Sequence, residues 1–401
     1  MGIDLLRGKV AAMVAIVSLS GFAYGMQLPI LPLYLSSLHI PPSVIGLILG
    51  TFGFALIIFE FGWGWWSDHV GVGLPLIITR TGIAVVMAGY GLAQTTPAFF
   101  ALQFASGAFF CASGPLPWTY FGHVIPPQRR GEAIGLAQTS LTLGIGLGAF
   151  AGGVGAESFS YRAIFFVAAG FAAASALLAF ATFRDVGPIQ ERKEEATVAA
   201  RSRPAAGRLP TYLWPLLVVA SISLVTQFGL SGERGFLPIL AQSKGIHPAE
   251  IGILLTVVST GSALLMVPVG RLSDRVGRKP VLLVGIVAGT LGLAGYALAP
   301  GFLALLGLTA LRAFSSAATQ PVLITVLSEV TPSRMRGQAM GLFGSLEDVG
   351  IAIGPALGGL IWSISTIGNA FLAMAAVSIV GLAIAAGLLK ERGWTAAAVD
   401  A

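Results

Sequence analysis

The sequence predicts an all-α membrane protein of twelve transmembrane helices in two pseudo-symmetric six-helix bundles. Three observations predict it. First, 55% of the 401 residues are hydrophobic, only 10% are charged, and the mean hydropathy is +0.86. A soluble domain is about 25% charged, so most of this exterior must face lipid. Second, the apolar residues gather into runs long enough to cross a bilayer as helices, the form in which lipid leaves no backbone group open. Third, marker residues recur at a constant offset of 206, about half the chain.

The first span is expected at 10–36. Arg7 and Lys9 ahead of an apolar run resemble a signal sequence. The run is too long for one and is interrupted by Gln27, Pro29 and Pro32, which fits an uncleaved first helix. Spans 2 to 6 are expected at 44–66, 75–94, 98–124, 132–154 and 161–184. The only long polar stretch follows at 185–211, with Glu191, Arg192, Lys193, Glu194 and Glu195, then Arg201, Arg203 and Arg208. That composition cannot bury a core and reads as a flexible linker. Spans 7 to 12 are expected at 212–241, 249–270, 280–299, 301–329, 338–362 and 368–390. The chain thus divides into an N-terminal half (1–184), a cytoplasmic linker (185–211) and a C-terminal half (212–401).

Loop charge sets the expected orientation. The N-terminus, the even-to-odd loops, the linker and the C-terminus hold 18 of the 23 Lys and Arg. The opposite loops hold only Arg162 and Lys244, and Arg80, Arg234 and Arg312 fall within spans. Both termini are therefore expected in the cytoplasm, with the chain multi-pass in the inner membrane. The net charge of +6 is read as basic loops rather than a nucleic-acid surface. The single Cys111 lies inside an apolar run as a small packing residue.

The repeat is specific. Ile45 and Gly46 match Ile251 and Gly252, Gly89 and Tyr90 match Gly295 and Tyr296, and Pro32, Pro115, Arg130 and Gly131 match Pro238, Pro321, Arg336 and Gly337. Asp68 matches Asp274, and both sit in a loop between spans 2 and 3 of their half. Parallel six-span repeats are one of the known transporter architectures. The second-half loop carries Gly270, Asp274, Arg275, Gly277, Arg278 and Lys279 in a G-x-x-x-D-[RK]-x-G-[RK]-[RK] pattern. Span 11 carries Gly341, Gly350, Gly354, Pro355 and Gly358, and span 5 a weaker copy with Ala149 in place of the proline.

On these motifs the chain resembles the major facilitator superfamily over nearly its whole length, and within it the twelve-span drug/proton antiporter-like group. The resemblance implies the major facilitator fold, with spans 1, 4, 7 and 10 lining a central cavity and spans 2 and 11 adjacent across the boundary between halves. It also implies that the loop aspartates and their basic neighbours gate the cytoplasmic side. The second half supplies Asp274, Arg275, Arg278, Glu329 and Arg336 for that role, and the first half Asp68 and Arg130. His123 stands where Glu329 would align and His69 replaces the first basic residue, so the C-terminal copy is expected to do most of the gating.

Polar groups inside spans are costly and by default face a cavity or a partner. Tyr24 and Gln27 in span 1, Gln227, Glu233 and Arg234 in span 7, and Arg312 in span 10 are the expected substrate contacts, with Trp118 of span 4 as a bounding aromatic. Gln27 and Glu233 are repeat mates. Arg312 needs a carboxylate partner or an anionic substrate, and a structural interhelix pair is the alternative. Glu60, Glu347, Asp348 and Glu233 are the candidates for proton coupling, since neutralising a carboxyl that controls which face can close would couple protons to alternating access. Prolines in spans 4 and 10 are expected to bend both helices.

An intramembrane enzyme is disfavoured, because His39, His69, His123 and His247 lie in loops or at span ends and no metalloprotease motif occurs. No nucleotide-binding loop or cofactor motif is present either. The expected function is secondary active transport of a small molecule by a monomer in the lipid bilayer, proton-coupled efflux of amphipathic or drug-like compounds. Proton-coupled or facilitated uptake of a metabolite is the alternative, and a non-transporting receptor or scaffold a remote one.

Overall fold

The computed structural model describes residues 8–186, 213–332 and 335–389, so the linker expected at 185–211 lies, beyond Val186, outside the described residues. Among the described residues, twelve helices are long and apolar enough to cross a membrane. They are α1 (Gly8–Ser37), α2 (Pro42–Val70), α3 (Gly73–Leu92), α4 (Thr96–Val124), α5 (Arg130–Ser158) and α6 (Tyr161–Phe183), then α7 (Leu213–Ser243), α8 (Pro248–Val276), α9 (Arg278–Leu298), α10 (Phe302–Val330), α11 (Arg336–Ile364) and α12 (Ile367–Leu388). Alternation of the spans places the start of α1 and the end of α12 on one face, called here the terminal face; the other is the far face.

Local chemistry explains the ends. Prolines that lack an N–H open α2 and α8 at Pro42 and Pro248. Ser160 caps α6 by accepting from the Ala163 amide at 3.3 Å, and Thr366 caps α12 by accepting from the Asn369 amide at 3.2 Å. The two charged loops are shorter than their sequence suggests. Helix continues through Asp68 to Val70 and through Asp274 to Val276, and the reversal falls on Gly71 (φ 90) and Gly277 (φ 109). Both glycines take backbone angles that a side chain disfavours, so the charges stay on helix ends and project from a rigid scaffold.

The two proline-bearing helices differ. α4 breaks into Thr96–Phe110 and Pro115–Val124, joined by a tight 3-10 turn at Cys111–Ser113. α10 runs unbroken through Pro321. Pro115 and Pro117 together remove two helix donors just after Gly114, whereas α10 has one proline, whose carbonyl is covered by the Thr325 hydroxyl at 2.7 Å. The bend expected in both halves is therefore a full break of the helix in α4, while α10 stays one continuous helix through Pro321. Arg80 of α3, fully buried, donates to the Ser113 hydroxyl at this break over 2.9 Å.

Each half packs alike: α1 lies on α5 and α6, and α7 on α11 and α12. The halves meet mainly where α2 contacts α11 and where α5 contacts α8. Toward the far face these contacts are backbone on backbone. A Cβ on Gly359 would stand 2.8 Å from the Gly46 Cα, and one on Gly153 would stand 2.8 Å from the Gly252 Cα. Toward the terminal face the same four helices separate: a Cβ on Gly62, Gly64, Gly131, Gly135, Gly270, Gly337 or Gly341 would meet nothing within 4 Å. The molecule is thus closed at the far face and open at the terminal face.

Candidate functional site

A cavity lies between the halves. Its wall on one side comes from Tyr24, Gln27, Leu28, Leu31 and Pro32 of α1, Leu49 and Phe52 of α2, and Gln103 of α4. On the other side stand Gln227, Ser231, Arg234 and Gly235 of α7 with Ile351 and Pro355 of α11. Tyr24 is held against Phe52 and Phe110, with ring centroids 5.6 and 4.1 Å apart and planes nearly parallel. Helices α1, α4 and α7 line the cavity, as the resemblance implies. α10 does not: α2 and α11 take its place.

The reason is the charge on α10. Arg312 Nε donates to Glu233 Oε2 at 2.6 Å, and Tyr296 Oη donates to Glu233 Oε1 at 2.7 Å. The Glu233 and Arg312 side chains are 1% and 6% exposed. Glu233 and Arg312 are therefore an interhelix pair behind the cavity wall. Arg312 instead lines a smaller polar space inside the C-terminal half, with Gln227, Ser315, Thr319 and Gln320. The N-terminal half has a neutral version at matching positions. Gln27 Nε2 donates to Tyr90 Oη at 3.3 Å and to Gln103 Oε1 at 3.1 Å, and Tyr90 donates to Gln103. Gln27 and Tyr90 are the repeat mates of Glu233 and Tyr296. Tyr90, Tyr296 and Gln320 were not expected as site residues; the two tyrosines were visible only as repeat markers.

The acids of α2 and α11 form a second cluster on the terminal-face side of the cavity. The Glu60 carboxyl lies within hydrogen-bonding reach of the Asp348 carboxyl, across the seam between halves. Asp348 Oδ2 is buried and has no donor to accept from. Two facing carboxyls form a hydrogen bond only when one of them carries a proton. Glu347 accepts from the Gln320 amide at 2.8 Å and from the Ser223 hydroxyl. Cys111, buried at the α4 break, is the other titratable group beside this cluster.

At the terminal face, Arg278 gathers two acids. Its Nη2 stands 2.6 Å from Glu329 Oε1 and its Nη1 2.9 Å from Asp274 Oδ1. Arg275 and Arg336 are exposed nearby. In the first half Asp68 is exposed at the end of α2, while Arg130 Nε donates to the Ile125 carbonyl at 3.0 Å. His123, in the place of Glu329, bonds through Nδ1 to the Thr119 carbonyl at 2.6 Å. Trp118 is about half exposed on α4 and does not line the cavity.

The arrangement has relatives. Among curated proteins the chain is 24% identical to multidrug resistance protein 2 of Bacillus subtilis over 379 residues, 94% of each chain. It is 27% identical to multidrug resistance protein MdtG of Salmonella choleraesuis over 358 residues, 86% of each. Among solved structures, the nucleoside transporter NupG superposes with a TM-score of 0.78 at 15% identity, covering 95% of this chain and 99% of that one. A bacterial homologue of the human lysosomal transporter Spinster, inward-facing and unoccupied, gives 0.74 at 16% identity over 94% and 95% of the two chains. A family model described as Major Facilitator Superfamily matches residues 13–234 and again 219–396. The first match covers α1 to α6 and runs into α7, the second covers α7 to α12, and together they span both walls of the cavity and the seam. The chain belongs to the Major Facilitator Superfamily, as a multi-pass membrane transporter and not an enzyme.

Proposed function

We propose that this protein exports small amphipathic compounds in exchange for protons, by alternating access to the central cavity. The basic loops put the terminal face in the cytoplasm, so the conformation described above is open inward. The two halves, 1–184 and 212–401, rock about the seam with 185–211 as their tether, and one chain suffices. Similarity to two proteins named for multidrug resistance favours export. Tyr24, Gln27, Gln227 and Arg234 contact the substrate from the cavity wall.

The observation that carries the coupling is the Glu60 and Asp348 pair. It joins the halves at the base of the opening. A shared proton holds the two carboxyls together, and its loss sets two negative charges against each other across the seam. Glu347, Ser223 and Gln320 extend this polar region into the C-terminal half. The Arg278, Asp274 and Glu329 cluster acts as the cytoplasmic latch.

The test is transport in proteoliposomes with an imposed pH gradient, using a panel of dyes and antibiotics. Gradient-driven movement against the substrate's own gradient is expected for the wild type. Glu60→Gln and Asp348→Asn should lose that drive and keep downhill exchange. Undiminished gradient-driven transport in the double variant would remove the coupling assignment, and proton-driven accumulation in the other direction would remove the export assignment.

A further inference from the structure

We infer that the central cavity selects amphiphilic organic anions, and that Arg234 is the residue that reads their charge. The inference rests on the transport reading above and adds the substrate class. Among the described residues, Arg234 is the only ionisable side chain with a fixed charge on the cavity wall. Among the described residues it has no hydrogen bond to an acceptor and no ion pair, unlike Arg278 and Arg312, each of which holds a carboxylate. Its nitrogens are not among the buried polar atoms, so they open into the cavity.

The surrounding acids leave that charge uncompensated. Glu233, the preceding residue, is turned about 100° away along the helix and is committed to Arg312 and Tyr296. Glu60, Glu347 and Asp348 lie off the cavity wall, nearer the terminal face, and engage one another, Ser223 and Gln320, or, for Glu347, the wall residue Gln227. The remaining polar groups on the wall are neutral: Gln27, Gln103, Gln227, Ser231 and the Tyr24 hydroxyl. A cationic substrate would find no carboxylate on the wall and one guanidinium repelling it. A carboxylate, sulfonate or phosphate finds a planar fork of donors that it can accept bidentately.

The rest of the wall sets the body of the substrate. Leu28, Leu31, Leu49 and Ile351 are apolar, and the stacked faces of Tyr24 and Phe52 suit a flat ring. The ligand that fits is an aryl or alkyl anion with its charge toward α7 and its apolar part between α1 and α2. In the orientation proposed above, an inside-negative membrane potential drives such an anion outward, so charge and direction agree.

Three probes of one shape test this on the purified full-length protein by calorimetry: 2-naphthoate, 2-naphthylmethylammonium and the neutral 2-naphthamide. The wild type should bind naphthoate most tightly and the ammonium compound least. Arg234→Gln should weaken naphthoate by about 10- to 100-fold, the range for a hydrogen bond to a charged group, and leave naphthamide unchanged. Arg234→Lys, which keeps the charge without the fork, should retain part of the preference. Tighter binding of the ammonium probe, equal binding of all three, binding of none, or undiminished naphthoate binding by Arg234→Gln would overturn the inference. The same probes separate the two proposals in proteoliposomes. Proton-driven movement of the ammonium compound alone would leave the exporter and remove the anion selectivity. Arg234-dependent naphthoate binding with no transport would do the reverse.

Discussion

Removing the Glu233 carboxylate should be the most damaging single change in the C-terminal half. In the native protein Arg312 Nε reaches Glu233 at 2.6 Å and Tyr296 reaches it at 2.7 Å, with the pair almost fully buried. Glu233→Ala leaves a guanidinium in a low-dielectric interior with no counter-charge and strips Tyr296 of its acceptor. Breaking a buried pair in this way costs ~3–5 kcal/mol. Glu233→Gln keeps one acceptor oxygen where the carboxylate offered two, one to each donor, and loses the charge. Charge-assisted hydrogen bonds are roughly twice as strong as neutral ones, so this variant should fall between Glu233→Ala and the wild type. Glu233→Gln with Arg312→Met removes both charges and keeps an acceptor for Tyr296, so stability should return to within about 1–2 kcal/mol of the wild type. The assay is the half-life of the detergent-solubilised protein against heat, read as a double-mutant cycle. If the two single changes add, or if Glu233→Ala inactivates no faster than the wild type, the pair is not holding α7, α9 and α10 together.

Three other outcomes follow from the geometry. Gln103→Leu takes the shared acceptor from Gln27 and Tyr90, which should cost ~1–3 kcal/mol, less than Glu233→Ala in the same heat assay because no charge is stranded. Asp274→Asn should lower transport more than Asp68→Asn, because Asp274 joins Arg278, which also holds Glu329 of α10, whereas His123 stands in the place of Glu329 in the first half; the Asp274 and Glu329 side chains are substantially exposed, so melting temperatures should shift little, and the reverse order of transport rates would refute the unequal latch. Gly46→Val forces a side chain against the α11 backbone at the far face, and overpacking of ~1–3 kcal/mol should shift the population toward the state open at that face; spin labels at the far ends of α2 and α11 would report a longer distance, and an unchanged distance distribution would contradict the seam described here.

Most of the fold was legible because lipid imposes it. Twelve apolar runs and a repeat offset of 206 fix helix number and pairing of equivalents, and the observed helix ends lie within a few residues of the expected ones except at the charged ends. There α2 and α8 overrun to Val70 and Val276, since nothing stops a helix at an aspartate, and the stop is the glycine that follows. The site was legible as residue types and less so as geometry. Arg312 in mid-span signals a carboxylate partner, and an interhelix pair is the alternative weighed for it, but nothing in the sequence chooses Glu233 among the span acids. Placing both as substrate contacts missed that an ion pair turns them away from the cavity. Trp118 looked like a cavity wall because aromatic residues serve either role; the α4 break puts it elsewhere. The asymmetry between α4 and α10 was written in Pro117, which has no mate in the second half.

The glycine seam gives the two ends of the molecule different electrical characters. Where α2 meets α11 and α5 meets α8 at the far face, the surfaces in contact are largely peptide groups and hydrogen atoms, and hydrogen bonds add to them, the Gln242 amide of α7 on the Tyr161 hydroxyl of α6 at 3.3 Å and the Ala249 amide of α8 on the Glu157 carboxylate of α5 at 3.4 Å. No ion pair crosses there among the described residues. The opposite end is studded with arginines and carboxylates. Dissolved salt screens charges but leaves close-packed backbone untouched. One door of this transporter should therefore feel the ionic strength of the fluid beside it more than the other, which closes mainly on shape.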